Sequence, residues 1–167
     1  MTITELAVVT MPAGTVPSLP GFVVSDFSPL VAAAADRCLA TRHGNPPAAD
    51  EVARRTAIVL VSGSGDARMA EHVANAVDTG TRIGPLLFFQ AVPNSVAGHV
   101  AARWHLRGPV VCLCPVDDAR AEGLAYARLL IEDGDADEVL VVLVEQASAH
   151  AVLVGGTHAP LGEGESR

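Results

Sequence analysis

The sequence contains no lysine, and this absence removes several kinds of chemistry. All 11 residues of the lysine and arginine class are arginines, whereas 19 residues are acidic, so the formal net charge is −8. A Schiff-base lysine and the lysine of a phosphate-binding loop are therefore excluded. Aromatic residues make up only 4% of the chain. An acidic, aromatic-poor surface is badly suited to nucleic acid, because phosphate contacts need clustered positive charge.

Long apolar runs and paired cysteines are also missing. The longest apolar runs, such as "EVLVVLVEQ", are much too short to cross a bilayer. Three cysteines without a secretory leader indicate a reducing cytoplasm. No histidine or cysteine spacing is typical of a zinc site. We therefore expect no cofactor, no metal, no nucleic acid and no membrane as partners.

Length and patterning predict a single domain over residues 1–157 and a disordered tail over 158–167. Hydrophobic periodicity and capping residues predict strands at 5–11, 56–65, 109–114, 137–146 and 150–156, and helices at 28–43, 66–80, 94–108 and 117–134. The last two strands are joined by a turn too short for a crossover helix, so they are expected to pair antiparallel. The predicted fold is α/β, with three αβα layers around a mixed, mostly parallel five-stranded sheet.

Three stretches of this pattern resemble one family. The segments "SGSGDARM", "GPLLFFQAVPNSVAGHVAARWHLRGP" and "GLAYARLLIEDGDADEVLV" are similar to the N-terminal half of β-ketoacyl synthases, which have the thiolase fold. The most specific part is "PNSVAGHVAARWHLRGP", where glycine, proline and asparagine fall together at fixed spacing. The resemblance covers about residues 5–156 and implies a thiolase-like half of such a synthase.

The sequence departs from this family at its nucleophile. In the family, the catalytic cysteine follows the "GP" pair by eight positions and precedes a helix-closing glycine by seventeen. Counting from Pro109 and back from Gly134 reaches the same residue, Asp117. Asp117 is expected to cap the following helix, because aspartate is a good N-cap and a poor acyl nucleophile. The second half of the family, which carries two catalytic histidines, has no counterpart in this sequence.

The cysteines near this position are expected to be structural. Cys112 and Cys114 lie two residues apart on a strand and so share one face, which predicts small buried core residues. Cys114, at the strand end, is also a candidate for a displaced nucleophile. Cys38 lies in an alanine-rich helix and is expected to pack there. The segment "SGSGD" predicts a tight turn, with an anion cradle at a helix N-terminus as the alternative.

Two functions follow from the resemblance and its departures. The first is a non-catalytic partner, comparable to the chain-length factors that pair with ketosynthases in polyketide- or fatty-acid-type secondary metabolism. The second is a small enzyme that acts on an acyl thioester through Asp117, Asp118 or Cys114. The loss of both the nucleophile and the histidine-bearing half favours the first.

A partner role predicts association surfaces. The helix at 118–133 is apolar around much of its circumference and needs cover on two sides, so we expect a homodimer or a heteromer with a ketosynthase. The strand at 110–114 is expected at a sheet edge and is a second candidate surface. An acyl carrier protein is a possible partner, although its acidic surface would need local arginines, and Arg103, Arg107 and Arg120 are the expected cluster near the nucleophile position. The interface candidates are Ala121, Leu124, Leu129, Cys112, Arg103, Arg107 and Arg120.

Overall fold

The computed structural model describes residues 2–157, so the predicted tail at 158–167 lies outside the described residues. The strands are β1 (Thr2–Pro12), β2 (Thr56–Val61), β3 (Val110–Leu113), β4 (Glu138–Glu145) and β5 (Ser148–Thr157). The helices are α1 (Phe27–His43), α2 (Asp50–Arg54), α3 (Ala67–Asp78), α4 (Pro85–Gln90), α5 (Asn94–Trp104) and α6 (Ala119–Glu132). The short helices α2 and α4 are additions to the predicted order. Within the described residues, no helix is long and apolar enough to cross a membrane.

The five strands form one sheet in the order β1-β5-β4-β2-β3. β2 runs parallel to both β3 and β4, whereas β5 is antiparallel to β4 and to β1. Four strands therefore share one direction and β5 alone runs against them. This arrangement confirms the predicted mixed, mostly parallel α/β sheet.

Two helical layers cover the sheet because the central strands are apolar on both faces. Every residue of β2 is buried. Ile58 and Leu60 pack toward α1 and α5, and Val59 and Val61 pack toward α6. Trp104, at the end of α5, is fully buried and its indole N–H donates to Asp36 of α1 at 2.6 Å. The first helical layer is therefore held by packing and by a polar contact.

The other layer depends on a close approach of α6 to the sheet. A side chain at Gly123 would bring its Cβ within 2.9 Å of Val141 and 3.0 Å of Val61, so glycine is needed there. Below Gly123, the inner face of α6 buries Ala127, Leu130 and Ile131. No other helix makes a substantial contact with the outer face of α6 in the described part of the chain. That face is therefore open in the isolated chain.

Candidate functional site

The turn from β3 into α6 lies at the carboxyl edge of the parallel strands, where the sequence places the family's nucleophile. Asp118 is the N-cap of α6, and its Oδ1 accepts hydrogen bonds from the backbone N–H groups of Arg120 at 2.9 Å and Ala121 at 3.1 Å. The prediction that Asp117 caps this helix is therefore wrong by one residue. Both aspartates are good N-caps, so the start of the helix decides which of them caps it. α6 begins at Ala119, and Asp118 is the residue directly before it.

Asp117 is exposed, and its hydrogen bond to the rest of the protein comes from its backbone N–H. Its N–H donates to Glu122 Oε1 at 2.8 Å, and the N–H of Val116 donates to the same oxygen at 2.9 Å. The carboxylate of Asp117 makes no hydrogen bond or ion pair with any residue between 2 and 157. Three carboxylates thus surround the first turn of α6, and two of them accept hydrogen bonds from the N–H groups of Val116, Asp117, Arg120 and Ala121. An oxyanion would meet repulsion there instead of stabilisation.

The two cysteines of the β3 region are exposed, so the prediction that they are buried core residues is wrong. Cys112 lies on β3, the last strand of the sheet, and the beginning of α5 approaches it through Asn94. Cys114 follows the end of the strand and lies beside α6. The Cys112 thiol donates to Asn94 Oδ1 at 2.7 Å, and partial burial raises its pKa. Cys114 Sγ lies 4.0 Å from the carbonyl oxygen of Gly63. Neither contact activates a thiol, because each offers an acceptor and not a cation.

Cys38 packs in the core as predicted. It is fully buried, and its thiol lies 3.6 Å from the carbonyl oxygens of Ala7 and Ala151. Burial raises the pKa of Cys38 to about 11.

Maleimide labelling at pH 8 is expected to modify the native chain at two cysteines, Cys112 and Cys114. Cys38 should react only in urea, because a thiol with a pKa of about 11 is almost wholly protonated at pH 8 and water is excluded from it. Intact mass and peptide mapping measure the sites. Rapid native labelling of Cys38 would contradict the described packing of α1.

A shallow groove of about 360 Å³ runs between the end of β3 and the outer side of α6. Cys114, Ala125 and Leu129 line it, together with Glu122 and Tyr126. Ala121, Ala125 and Leu129 follow one another at single-turn spacing and are exposed, whereas Leu124 is half-buried. No basic side chain lines this groove, so nothing within it would stabilise a thiolate on Cys114.

The three candidate arginines do not form one cluster, which corrects the expectation for a carrier-protein surface. Arg103 and Arg107 lie where α5 leads into β3, at the amino edge of the parallel strands. They pair with Asp36 at 2.9 Å and Asp50 at 3.6 Å. Arg120 begins α6 at the opposite edge, where it pairs with Glu5 and contacts His150 Nε2 at 2.9 Å. Arg103 and Arg107 precede β3 and Arg120 follows it, so the length of the strand separates these charges.

The "SGSGD" segment forms a tight turn that is closed by the protein's own carboxylate. Glu145, at the end of β4, accepts from the N–H of Gly63 at 2.7 Å and from the Ser64 hydroxyl. Partial burial would raise the pKa of Glu145, but the hydrogen bonds from Ser64, Gly63 and Ser62 outweigh burial and lower it. Asp66 caps α3 by accepting from the N–H of Met69 at 3.0 Å. The donors that could hold an external anion are therefore used internally.

Sequence reasoning missed two features of this region. Glu122 and Glu145 organise the turns, but a solvent-accessible glutamate at a strand end or in a first helical turn has no distinctive pattern. The segment around α4 exposes Leu86, Phe88 and Phe89. Its apolar "LLFFQ" run was a signal, because large apolar side chains in an aromatic-poor chain are expected to be buried.

The chain is similar to known proteins in sequence and in fold. The model of the β-ketoacyl synthase N-terminal domain matches residues 24–151. A chain of the complex between the ketosynthase ApeO and its chain length factor ApeC from Xenorhabdus doucetiae is 18% identical, with a TM-score of 0.72 over 95% of this chain and 81% of that one. A chain of the ishigamide ketosynthase/chain length factor is 22% identical, with a TM-score of 0.71 over 86% of this chain and 47% of that one.

A β-ketoacyl synthase from Burkholderia phymatum STM815 is 14% identical, with a TM-score of 0.61 over 76% of this chain and 42% of that one. The chain therefore spans about half the length of two of these relatives and most of the length of the first. At these identities the likeness shows the fold.

Proposed function

This chain belongs to the β-ketoacyl synthase family, and we propose that it serves as a non-catalytic partner of a ketosynthase in polyketide- or fatty-acid-type secondary metabolism. The observation that carries this proposal is the N-terminus of α6. Asp117 stands at the nucleophile position, and the carboxylates of Asp118 and Glu122 accept the neighbouring N–H groups. A condensing centre needs those groups free to stabilise a thiolate and then an oxyanion.

The open outer face of α6 supports a partner role. Leu129 is 47% exposed in the isolated chain, and Ala121 and Ala125 beside it leave room for another backbone to approach closely. β3 adds an uncovered edge with Val110 and Cys112 exposed. A second copy would cover these surfaces when the chain is alone, and a ketosynthase would cover them in the working complex.

The relatives are consistent with this role. Two of the matched structures contain ketosynthases with chain length factors, and this chain covers 81% of the matched chain in one of them. Another related structure contains a ketosynthase with its acyl-carrier protein. The three free cysteines fit a reducing cytoplasm as the compartment.

Direct docking of an acyl carrier protein is a weaker part of the proposal. The carrier is acidic and this chain has a net charge of −8. Arg103, Arg107 and Arg120 each already pair with a carboxylate of the chain itself. Like-charge contact without free cations disfavours association, so the carrier is expected to bind mainly through the ketosynthase.

Incubation with acetyl and octanoyl thioesters is expected to leave the intact mass of the chain unchanged. The Asp117→Asn and Cys114→Ala variants should behave in the same way, because neither side chain is an acyl acceptor in this proposal. The matched measurement is copurification with a ketosynthase from the same gene cluster, which should give a stable heteromer.

A stoichiometric adduct that disappears in Cys114→Ala, or one mapped to Asp117, would instead support the acyl-thioester enzyme. Failure to form any complex with the ketosynthase would contradict the partner role independently of the mass result.

A further inference from the structure

A second pocket lies away from the α6 turn, between α4, the start of α5 and the loop before α1. Its volume is about 470 Å³. This is within the range of pockets that hold small organic molecules, roughly 300–1,000 Å³. Its walls are largely apolar, with Phe22, Leu86 and Phe89 among them. The ring of Phe22 is fixed by an edge contact with His99, at 6.0 Å between ring centroids.

Gln90 is the unusual residue of this pocket. It lines the cavity, it is only 5% exposed, and its Oε1 has no hydrogen-bond donor among the described residues. Buried carbonyl oxygens are nearly always paired, because leaving one unpaired costs free energy. An unpaired buried oxygen of this kind lacks a donor, and a molecule bound in the adjoining cavity would supply one.

The neighbouring polar side chains do not supply that donor. The hydroxyl of Ser95 donates to the carbonyl oxygen of Phe89 instead, and neither the Asn94 amide nor the His99 ring makes a hydrogen bond to Gln90 Oε1. Rotation of the Gln90 amide about its last side-chain torsion is soft, so its oxygen can turn to meet a donor in the cavity.

The pocket also has an unfilled wall. Gly98 lines it from the middle of α5, and a Cβ built at Gly98 meets no atom within 4 Å. Glycine in a helix interior costs stability, and neither a positive φ nor a close contact requires it at this position. Its presence leaves the cavity open.

We propose that this pocket binds a small apolar molecule that carries an N–H or O–H donor, which the Gln90 carbonyl oxygen recognises. The apolar body lies against Phe22 and Phe89 and passes over Gly98. The inference goes beyond the partner role and does not depend on it, since it concerns the isolated chain.

A matched pair of probes tests this assignment. 2-Naphthol donates an O–H, whereas 2-methoxynaphthalene has the same ring system without a donor. Titration of each into the full chain, followed by ¹H–¹⁵N NMR shifts, gives both the site and the affinity. We expect the largest shifts at Gly98 and His99, and about fivefold or greater preference for 2-naphthol.

Two variants separate shape from hydrogen bonding. Gly98→Leu fills the cavity with a better helix former, so it should fold normally and weaken both probes at least about tenfold. Gln90→Met keeps the volume and removes the acceptor, so it should bind both probes with equal affinity. Ala40→Leu, on the exposed side of α1, is the control for an added leucine.

Equal affinity of the native chain for the two probes would overturn the proposal and leave Gln90 as a hydrated side chain only. Shifts centred elsewhere, or undiminished binding by the folded Gly98→Leu variant, would overturn it as well. Circular dichroism of each variant verifies folding before titration.

Discussion

The Ala125→Glu variant is expected to remain folded and to lose the association that we propose for the outer face of α6. Ala125 lies at the middle of the exposed stripe on α6, one turn from Ala121 and one turn from Leu129. A charge buried there without a partner costs about 3–5 kcal/mol. Because each 1.4 kcal/mol is tenfold in affinity, the dissociation constant should rise at least about 100-fold.

The fold itself should tolerate this change. The Ala125 side chain is exposed in the isolated chain, and glutamate is a good helix former. Light scattering and sedimentation measure the homodimer, copurification measures the heteromer, and far-ultraviolet dichroism reports the helices. Ala40→Glu, on the exposed side of α1, introduces the same charge in the opposite layer and should leave association unchanged.

An Ala125→Glu chain that stays fully associated would move the interface away from α6. The edge of β3, with Val110 and Cys112 exposed, would then be the better candidate. A native chain that is monomeric at micromolar concentration and forms no complex with a ketosynthase would contradict both surfaces.

The sheet could be predicted from the sequence because its strands carry strong local signals. The β-branched run at 56–65 predicts a strand buried on both faces, and β2, which ends four residues earlier at Val61, is buried throughout. The short turn between the last two strands predicts their antiparallel pairing, which β4 and β5 show. The short helices α2 and α4 could not be predicted in the same way, since five or six residues do not establish a helical period.

The predictions that were wrong at the site concern exposure and proximity, which depend on how the helices pack on the sheet. Cys112 lies on the apolar strand β3, but where α5 crosses the sheet decides whether a helix covers its side chain. Cys114 lies just beyond the end of β3, where the chain has already left the sheet. The expected cluster of Arg103, Arg107 and Arg120 failed because α5 and α6 meet β3 at opposite ends. Asp117 and Asp118 are equally suited to cap α6. The choice between them depends on the exact residue at which the helix begins, which a sequence pattern does not determine.

Gly108→Ala, which adds a single methyl group, is expected to cause a large loss of stability. A Cβ at Gly108 would lie 2.4 Å from the carbonyl oxygen of Thr56 and 2.9 Å from the N–H nitrogen of Ala57. These are backbone atoms at the start of β2, so no side chain can rotate away to relieve the clash. Gly108 has no positive φ, and the close approach alone requires glycine.

The hydrogen bonds around this contact make it difficult to relax. Arg107 donates its N–H to the carbonyl oxygen of Ala53 at 2.8 Å, and Ile58 donates to that of Pro109 at 2.8 Å. Moving β3 away from β2 would strain or break both. Overpacking costs about 1–3 kcal/mol and sometimes more. Each lost hydrogen bond adds about 1 kcal/mol.

We therefore expect Gly108→Ala to lower the free energy of unfolding by about 3 kcal/mol or more, a large share of the roughly 5–15 kcal/mol typical of a domain. Urea unfolding followed by fluorescence of Trp104, the single and fully buried tryptophan, measures this change. Gly98→Ala is the matched control, because its Cβ meets nothing within 4 Å and alanine favours a helix by about 1 kcal/mol. Equal stability of the two variants would show that β2 and β3 can separate at this point without cost, and the glycine of the "GP" pair would then need another explanation.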